Sequence, residues 1–305
     1  VIRRLLALAL VLASLAPARA AGTFSTGTFA TGHHEARAYA LYVPSEPGAG
    51  PLVVALHGCW QTPDDFARGT RLNEAAERRG LSVLYPAQGR RDNPYRCWNW
   101  FNPSDQAAAG AGEAAAILAM ARHVQERRGI KDRRIVVLGF SAGGFMAVNL
   151  ACAAPQMVAG IGVMAGGPYR CGLGAGGAIQ CMRGRAGDPA VSADQCLAAA
   201  GLRALPLRAS LWQGDADAVV DVANLSALET MLARALGTVG AVTDTADGAV
   251  HTVHRDRRGV ARLESWLVRA MGHAWSGGDP RGTHTHPEGP PATERMLDFL
   301  LIAGR

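Results

Sequence analysis

The chain has 305 residues, of which 49% are hydrophobic, 18% charged and 6% aromatic, and its formal charge is +6. That balance excludes a disordered chain and provides for a sizeable core, while 37 glycines and 16 prolines without a three-residue period exclude collagen. Lys131 is the only lysine, so no Walker-type Gly-Lys-Ser/Thr loop is present and Schiff-base chemistry would rest on one residue.

Arg3 and Arg4 precede an apolar run from Leu5 to Leu15, and Ala18-Arg19-Ala20 offers a small-x-small cleavage site. Residues 1–20 are therefore expected to be a secretory signal peptide, with 21–305 forming a single catalytic domain and the protein secreted to the periplasm or the medium. Without that segment the charge falls from +6 to +3, too small to imply a nucleic-acid partner. No later run is long and apolar enough to anchor the chain in a membrane. Export also makes Cys59, Cys97, Cys152, Cys171, Cys181 and Cys196 candidate disulfide partners, which about 15 pairing schemes could satisfy. No Cys-x-x-Cys pair occurs, so no metal site is expected.

After a polar stretch, Pro51–Leu56 reads as a strand buried on both sides, as in the middle of a parallel sheet. Pro63 to Arg79 reads as one helix stopped by Gly80, Leu81 to Tyr85 as a strand, and Tyr95 to Phe101 as an aromatic loop. Ser104 or Asp105 is placed to cap a long alanine-rich helix that reaches about Arg128. Arg134 to Leu138 is another buried strand, Ala142 to Ala154 a helix and Met157 to Met164 a further strand. The segment 166–206, rich in Gly and Ala with three cysteines, reads as an irregular insertion stapled by disulfides. A strand at Leu207–Trp212, a helix near Ala223–Leu236, a hairpin of 251–255 with 262–268, and a last helix from about Ala292 to Ile302 complete the chain. This alternation predicts an α/β fold, a doubly wound, mostly parallel sheet.

Gly139-Phe140-Ser141-Ala142-Gly143 joins a buried strand directly to a helix. At such a turn a serine hydroxyl is held exposed, and only small neighbours allow the close approach. A serine needs a base, and the base needs an orienting carboxylate, which in this architecture follow in the order acid, then histidine. His273, in the glycine-flanked loop after the hairpin, is the candidate base. His251 and His254 lie in the hairpin, and His284-Thr-His286 reads as a solvated loop or at most a weak metal site. Of three aspartates after the strand at 207–212, Asp217 is the candidate acid, Asp215 a turn-former and Asp221 a helix cap. The backbone N–H groups of Ala142 and of the loop His57-Gly58-Cys59-Trp60-Gln61, from Cys59, are the candidate oxyanion donors. His57 itself precedes the nucleophile and reads as structural.

Together Leu56–Gln61, Cys97–Phe101, Gly139–Gly144, Gly214–Val220 and Gly272–Gly278 resemble, in order, the polyhydroxybutyrate depolymerase family of secreted esterases. The resemblance implies an α/β-hydrolase fold with Ser141, Asp217 and His273 as triad and Cys59 and Ala142 at the oxyanion hole. It further implies cofactor-free ester hydrolysis through an acyl-enzyme. A poly- or oligo(3-hydroxybutyrate)-type polyester is the expected substrate. Feruloyl or acetyl esters of plant polysaccharide, and acyl transfer on the same fold, are the alternatives. Trp60, Trp98, Trp100 and Trp275 are candidate substrate contacts, each with the alternative of a packing residue. Cys59 and Cys97, in two loops beside the site, are expected to pair; the other four cysteines leave three pairings open. The oligomeric state is not specified by the sequence.

Overall fold

Two short apolar runs set the middle of the sheet, because neither has a polar face to turn towards water. In the computed structural model, which describes residues 21–30 and 36–302, both are wholly buried strands flanked by parallel neighbours. The expected signal peptide lies outside the described residues.

The chain begins with strands β1 (Thr23–Phe29), β2 (Arg37–Val43) and β3 (Leu52–Leu56), then helices α1 (Pro63–Thr70) and α2 (Leu72–Arg79) and strand β4 (Val83–Pro86). Next come α3 (Glu113–Arg128), β5 (Ile135–Phe140), α4 (Ala142–Ala153), β6 (Val158–Met164), α5 (Gly174–Met182) and α6 (Pro189–Ala200). The remainder is β7 (Arg208–Gly214), α7 (Ala223–Ala235), β8 (Thr238–Ala246), β9 (Ala249–Asp256) and β10 (Ala261–Val268), then β11 (Trp275–Ser276), β12 (Thr285–His286) and α8 (Ala292–Leu300). Ten strands form one sheet in the order β1-β2-β4-β3-β5-β6-β7-β10-β9-β8. Its six central strands, β4 to β10 in that order, are parallel, and two antiparallel strands flank them on each side. Along one face α3, α4, α6 and α7 pack in succession; α2 and α8 meet on the other. This is the α/β-hydrolase arrangement, and it brings the ends of β3, β5, β7 and β10 to one edge.

Several elements depart from the expectation. The helix expected over 63–79 is broken at Arg71, whose left-handed φ of 54° separates α1 from α2. Thr62 and Pro63 start the first piece, the threonine accepting from the Asp65 N–H, and Gly80 ends the second. The long alanine-rich helix starts at Glu113, well after the expected caps Ser104 and Asp105, because Gly110 and Gly112 intervene and Pro103–Gln106 forms a separate 3-10 turn. Asp105 still caps it from outside, accepting from the Glu113 N–H at 2.9 Å. The insertion is helical: α6 opens with Asp188, which accepts from the Ala190 N–H, and with Pro189 as its first residue. Strands β1, β2, β8, β11 and β12 were not expected at all. The first of these and β8 lie at the two sheet edges with both faces largely exposed, so neither carries an apolar period.

The six cysteines form Cys59–Cys97, Cys152–Cys196 and Cys171–Cys181. The first is the expected pair. The second ties α4, which continues directly from Ser141, to α6 of the insertion, and the third closes a short loop within it. For the 44-residue separation of Cys152 and Cys196, chain entropy alone gives a stabilisation of about 4 kcal/mol, of which about 2–4 is usually realised. The variant Cys152→Ala/Cys196→Ala should therefore unfold in urea with about 2–4 kcal/mol less stability under non-reducing conditions. A loss below about 0.5 kcal/mol would mean that packing alone holds the insertion.

Candidate active site

Strand β5 ends in Gly139-Phe140 and α4 starts at Ala142, which leaves Ser141 alone to make the turn. Its backbone sits at φ 54°, ψ −121°, a region that non-glycine residues rarely enter. The flanking glycines are required by contact. A Cβ on Gly139 would overlap the carbonyl oxygen of Gly143, and one on Gly143 would overlap that of Leu56 at the end of β3. The bend is thus pressed onto the neighbouring strand, with the Ser141 N–H bonded to the Met164 carbonyl of β6 at 2.9 Å.

The structure brings Ser141, His273 and Asp217 into one chain of contacts. Ser141 Oγ lies 2.9 Å from His273 Nε2, and His273 Nδ1 lies 2.8 Å from Asp217 Oδ2. Asp217 is fully enclosed: its Oδ1 accepts from the Val219 and Val220 N–H groups, and its Oδ2 also accepts from Gln213 Nε2 at 3.0 Å. Burial pushes this carboxyl up, but the hydrogen bond and charge of His273 and the two N–H donors outweigh burial and hold it below the ordinary carboxylate range. The loops that carry Asp217 and His273 are laced together. Asp215, read from sequence as a turn-former, accepts from the Ala270 N–H at 2.7 Å, and the Ala216 N–H reaches the Met271 carbonyl. Asp221 accepts from the Ala223 N–H at the start of α7.

On the opposite side, α4 opens at Ala142, whose N–H has no intrahelical acceptor. In the loop after β3, the Gly58 N–H is taken by Gln61 Oε1 at 2.9 Å and the Trp60 N–H by the Tyr95 carbonyl at 2.7 Å. The intervening Cys59 N–H remains as the donor of this loop without a bond to protein among the described residues. Gln61 Nε2 reaches on to Asp65 and to Thr283 of the segment after His273, so α1 and that segment share one anchor.

Beneath this loop lies a polar network that the sequence did not disclose. His57 is buried; its Nδ1–H donates to the Gly58 carbonyl and its Nε2 accepts from the Gln88 N–H at 3.1 Å. Burial lowers its pKa to about 4, so it is neutral at pH 7 and serves the backbone. Gln88 Nε2 donates to the Cys97 carbonyl and to Glu113 Oε1, and Glu113 also accepts from the N–H and Nδ2 of Asn99. The segment that carries Cys97 is thus held from below by Glu113 and from the side by its disulfide to Cys59. No local pattern marks Glu113, which opens α3 rather than lying in the loop it serves. His284, which reads from sequence as part of a solvated loop, is a neighbour of His273: its ring stands 6.1 Å from that of His273, both against Phe140.

Three of the four tryptophans expected to touch substrate do not face outwards. Trp98, Trp100 and Trp275 are 1%, 5% and 2% exposed. Trp98 donates from Nε1 to the His57 carbonyl, Trp100 stacks on Phe145 at 4.0 Å, and Trp275 packs edge-on against Phe66 while donating to Thr293. Their large apolar area fills the floor under the loops, which corrects the expectation. Trp60 is exposed. Among the described residues no cluster of three or more His, Cys, Asp or Glu could hold a metal, and His286 lies near Glu288 alone. No helix among them is long and apolar enough to cross a membrane.

Residues 37–254 match the model of the family described as esterase PHB depolymerase. Poly(3-hydroxyalkanoate) depolymerase C of Paucimonas lemoignei is 33% identical over 237 residues, covering 76% of this chain and 57% of that protein. Feruloyl esterase B of Thermothelomyces thermophilus is 29% identical over 136 residues, or 44% of this chain and 46% of that one. The chain thus spans about half the length of these curated relatives. Among solved structures, an acetyl xylan esterase from Aspergillus awamori shares the fold with a TM-score of 0.74 at 18% identity, covering 90% of this chain and 98% of that one.

Burial raises the Glu113 pKa to about 7 despite the Asn99 and Gln88 donors, with Asp105 adding to the rise. Its folded value exceeds the unfolded one, so its contribution to stability is complete below about pH 4.5 and is lost as pH rises through about 7. Glu113→Gln should flatten the slope of urea-unfolding free energy between those pH values. An unchanged slope would assign that titration to another group.

Proposed function

The chain belongs to the PHB depolymerase esterase family, and from that premise we propose that it is a carboxylic ester hydrolase working through Ser141, His273 and Asp217. The observation that carries this reading is the continuous run of contacts from Ser141 Oγ through both ring nitrogens of His273 to an enclosed carboxylate. The Asp217 carboxylate accepts a hydrogen bond from Nδ1–H, which keeps the ring proton on Nδ1 and leaves Nε2 as the free base towards Ser141. Ser141 Oγ attacks the ester carbonyl carbon as Nε2 removes its proton. The resulting oxyanion is taken by the N–H groups of Cys59 and Ala142, whose orientation is fixed before substrate arrives. The carbon–oxygen bond then breaks, His273 gives its proton to the departing alcohol, and an acyl group remains on Ser141. Water, deprotonated by the same ring, attacks the acyl-enzyme; the carboxylic acid leaves and the serine is restored.

The preferred substrate is a poly- or oligo(3-hydroxyalkanoate) of the hydroxybutyrate type, supported by the depolymerase relative over three quarters of the chain. An acyl ester of plant polysaccharide is the second reading, on the strength of the feruloyl esterase relatives. Neither needs a cofactor. The three disulfides fit an oxidising compartment, and we place the working protein outside the cytoplasm.

Hydrolysis of 3-hydroxybutyrate oligomers, methyl ferulate, acetylated xylan and p-nitrophenyl esters tests the reading. Ser141→Ala should lower kcat at least about 10³-fold on every substrate cleaved and abolish labelling by an organophosphonate. Asp217→Asn should lower kcat by up to about 10⁴-fold, because the amide turns its N–H towards Nδ1 and forces the wrong tautomer. Retention of activity by Ser141→Ala would refute the mechanism.

A further inference from the structure

Of the six tryptophans, Trp60 is the one left in solvent, at 57% exposure, and Tyr95 beside it is 55% exposed. A lone exposed aromatic needs no explanation, but this pair is held in place at a cost. Trp60 has φ 67°, in the left-handed region that a bulky side chain seldom occupies, and Arg96, which follows Tyr95, has φ 54°. Such backbone states persist only where the surroundings over-determine them. Here three ties do so: the Trp60 N–H to the Tyr95 carbonyl at 2.7 Å, the disulfide between Cys59 and Cys97, and the two rings in edge contact at 5.1 Å. Asn93 steadies the far side by accepting from the Tyr95 N–H at 2.9 Å. Two apolar faces are therefore kept rigid and wet, and Trp60 directly follows Cys59, the oxyanion donor of the proposed mechanism.

The geometry points to a substrate subsite formed by Trp60 and Tyr95, which binds the aliphatic repeat next to the ester being cleaved. This rests on the esterase reading above and narrows it. The rings meet at 65°, so their free faces form a corner rather than a parallel-walled slot. A flat aromatic acid gains most from stacking on one face or between two parallel ones, whereas a branched aliphatic ester chain can set methyl and methylene groups against both walls at once. Rigidity makes the corner effective, since little side-chain freedom is lost when the chain settles in it. Tyr95 was not singled out by any motif, and it becomes a specificity-determining residue together with Trp60.

The test compares a 3-hydroxybutyrate trimer, methyl ferulate and p-nitrophenyl acetate as substrates of Trp60→Ala, Tyr95→Ala, the double variant, Trp60→Phe and Tyr95→Phe. The expected result for the alanine variants is a loss of kcat/KM on the trimer at least 10-fold larger than on the acetate, carried mostly by KM. The phenylalanine variants should recover most of it, and the double variant should lose less than the product of the singles because the rings serve one contact. Equal losses on trimer and acetate would assign the pair a merely structural role in the loop and overturn the inference. So would an unchanged ratio, or a selective loss on ferulate alone. The two phenylalanine variants keep an aromatic ring in place if an alanine variant fails to fold. Ser141→Ala, assayed alongside, separates the two levels: residual activity in it refutes the reaction, whereas an inactive Ser141→Ala with unchanged trimer-to-acetate ratios refutes only the subsite.

Discussion

The backbone of Ser141, turned into a region of φ and ψ that side chains disfavour, is the constraint from which the rest of the site takes its shape. A relaxed turn would carry the hydroxyl away from His273 and lift the start of α4 off β3. The strain, on the order of 1–3 kcal/mol, is held by contacts that no side chain could share: Gly139 against Gly143 and Gly143 against Leu56. The same close approach places the open N-terminus of α4 beside the loop that leaves β3. One bend therefore positions a hydroxyl, a backbone donor and the neighbouring strand end together.

Around this bend the polar groups are fixed by partners rather than by burial alone. Every lone-pair direction of Asp217 is used, by two backbone N–H groups, Gln213 and His273. In the loop after β3 the pattern is inverted. Neighbouring N–H groups at Gly58 and Trp60 are occupied, and the one between them is left open. Selective satisfaction of this kind makes a pre-aimed donor, because a loop with several free N–H groups could turn any of them towards solvent. His57, Gln88 and Glu113 supply the stiffness from below.

What the sequence disclosed follows from how local each signal is. Buried parallel strands and the Gly-x-Ser-x-Gly bend are contiguous patterns, so β3, β5 and the position of Ser141 could be read directly. The serine, aspartate and histidine that meet in space are legible because each lies in the turn or loop that follows a recognisable strand. Edge strands β1 and β8 were not legible, since a strand wet on both faces has no alternation to read. Helices α5 and α6 were hidden by their composition, in which alanine and glycine blur the contrast between faces, although Asp188-Pro189 marked a helix start. The tryptophans misled for another reason. Their loop sits over a buried carboxylate contributed by α3, and that closure turns Trp98 and Trp100 inwards.

His273 reaches Ser141 across 132 positions and meets Asp217 across 56. In synthesis, which proceeds from the N-terminus, the bent Ser141 emerges long before His273. Until the segment beyond β10 has emerged and docked beside β7, the nascent polypeptide lacks the contacts that join Ser141 to His273 and Asp217. Assembly of the site is thus tied to connectivity: its three side chains come together only when the last strand of the parallel set has closed.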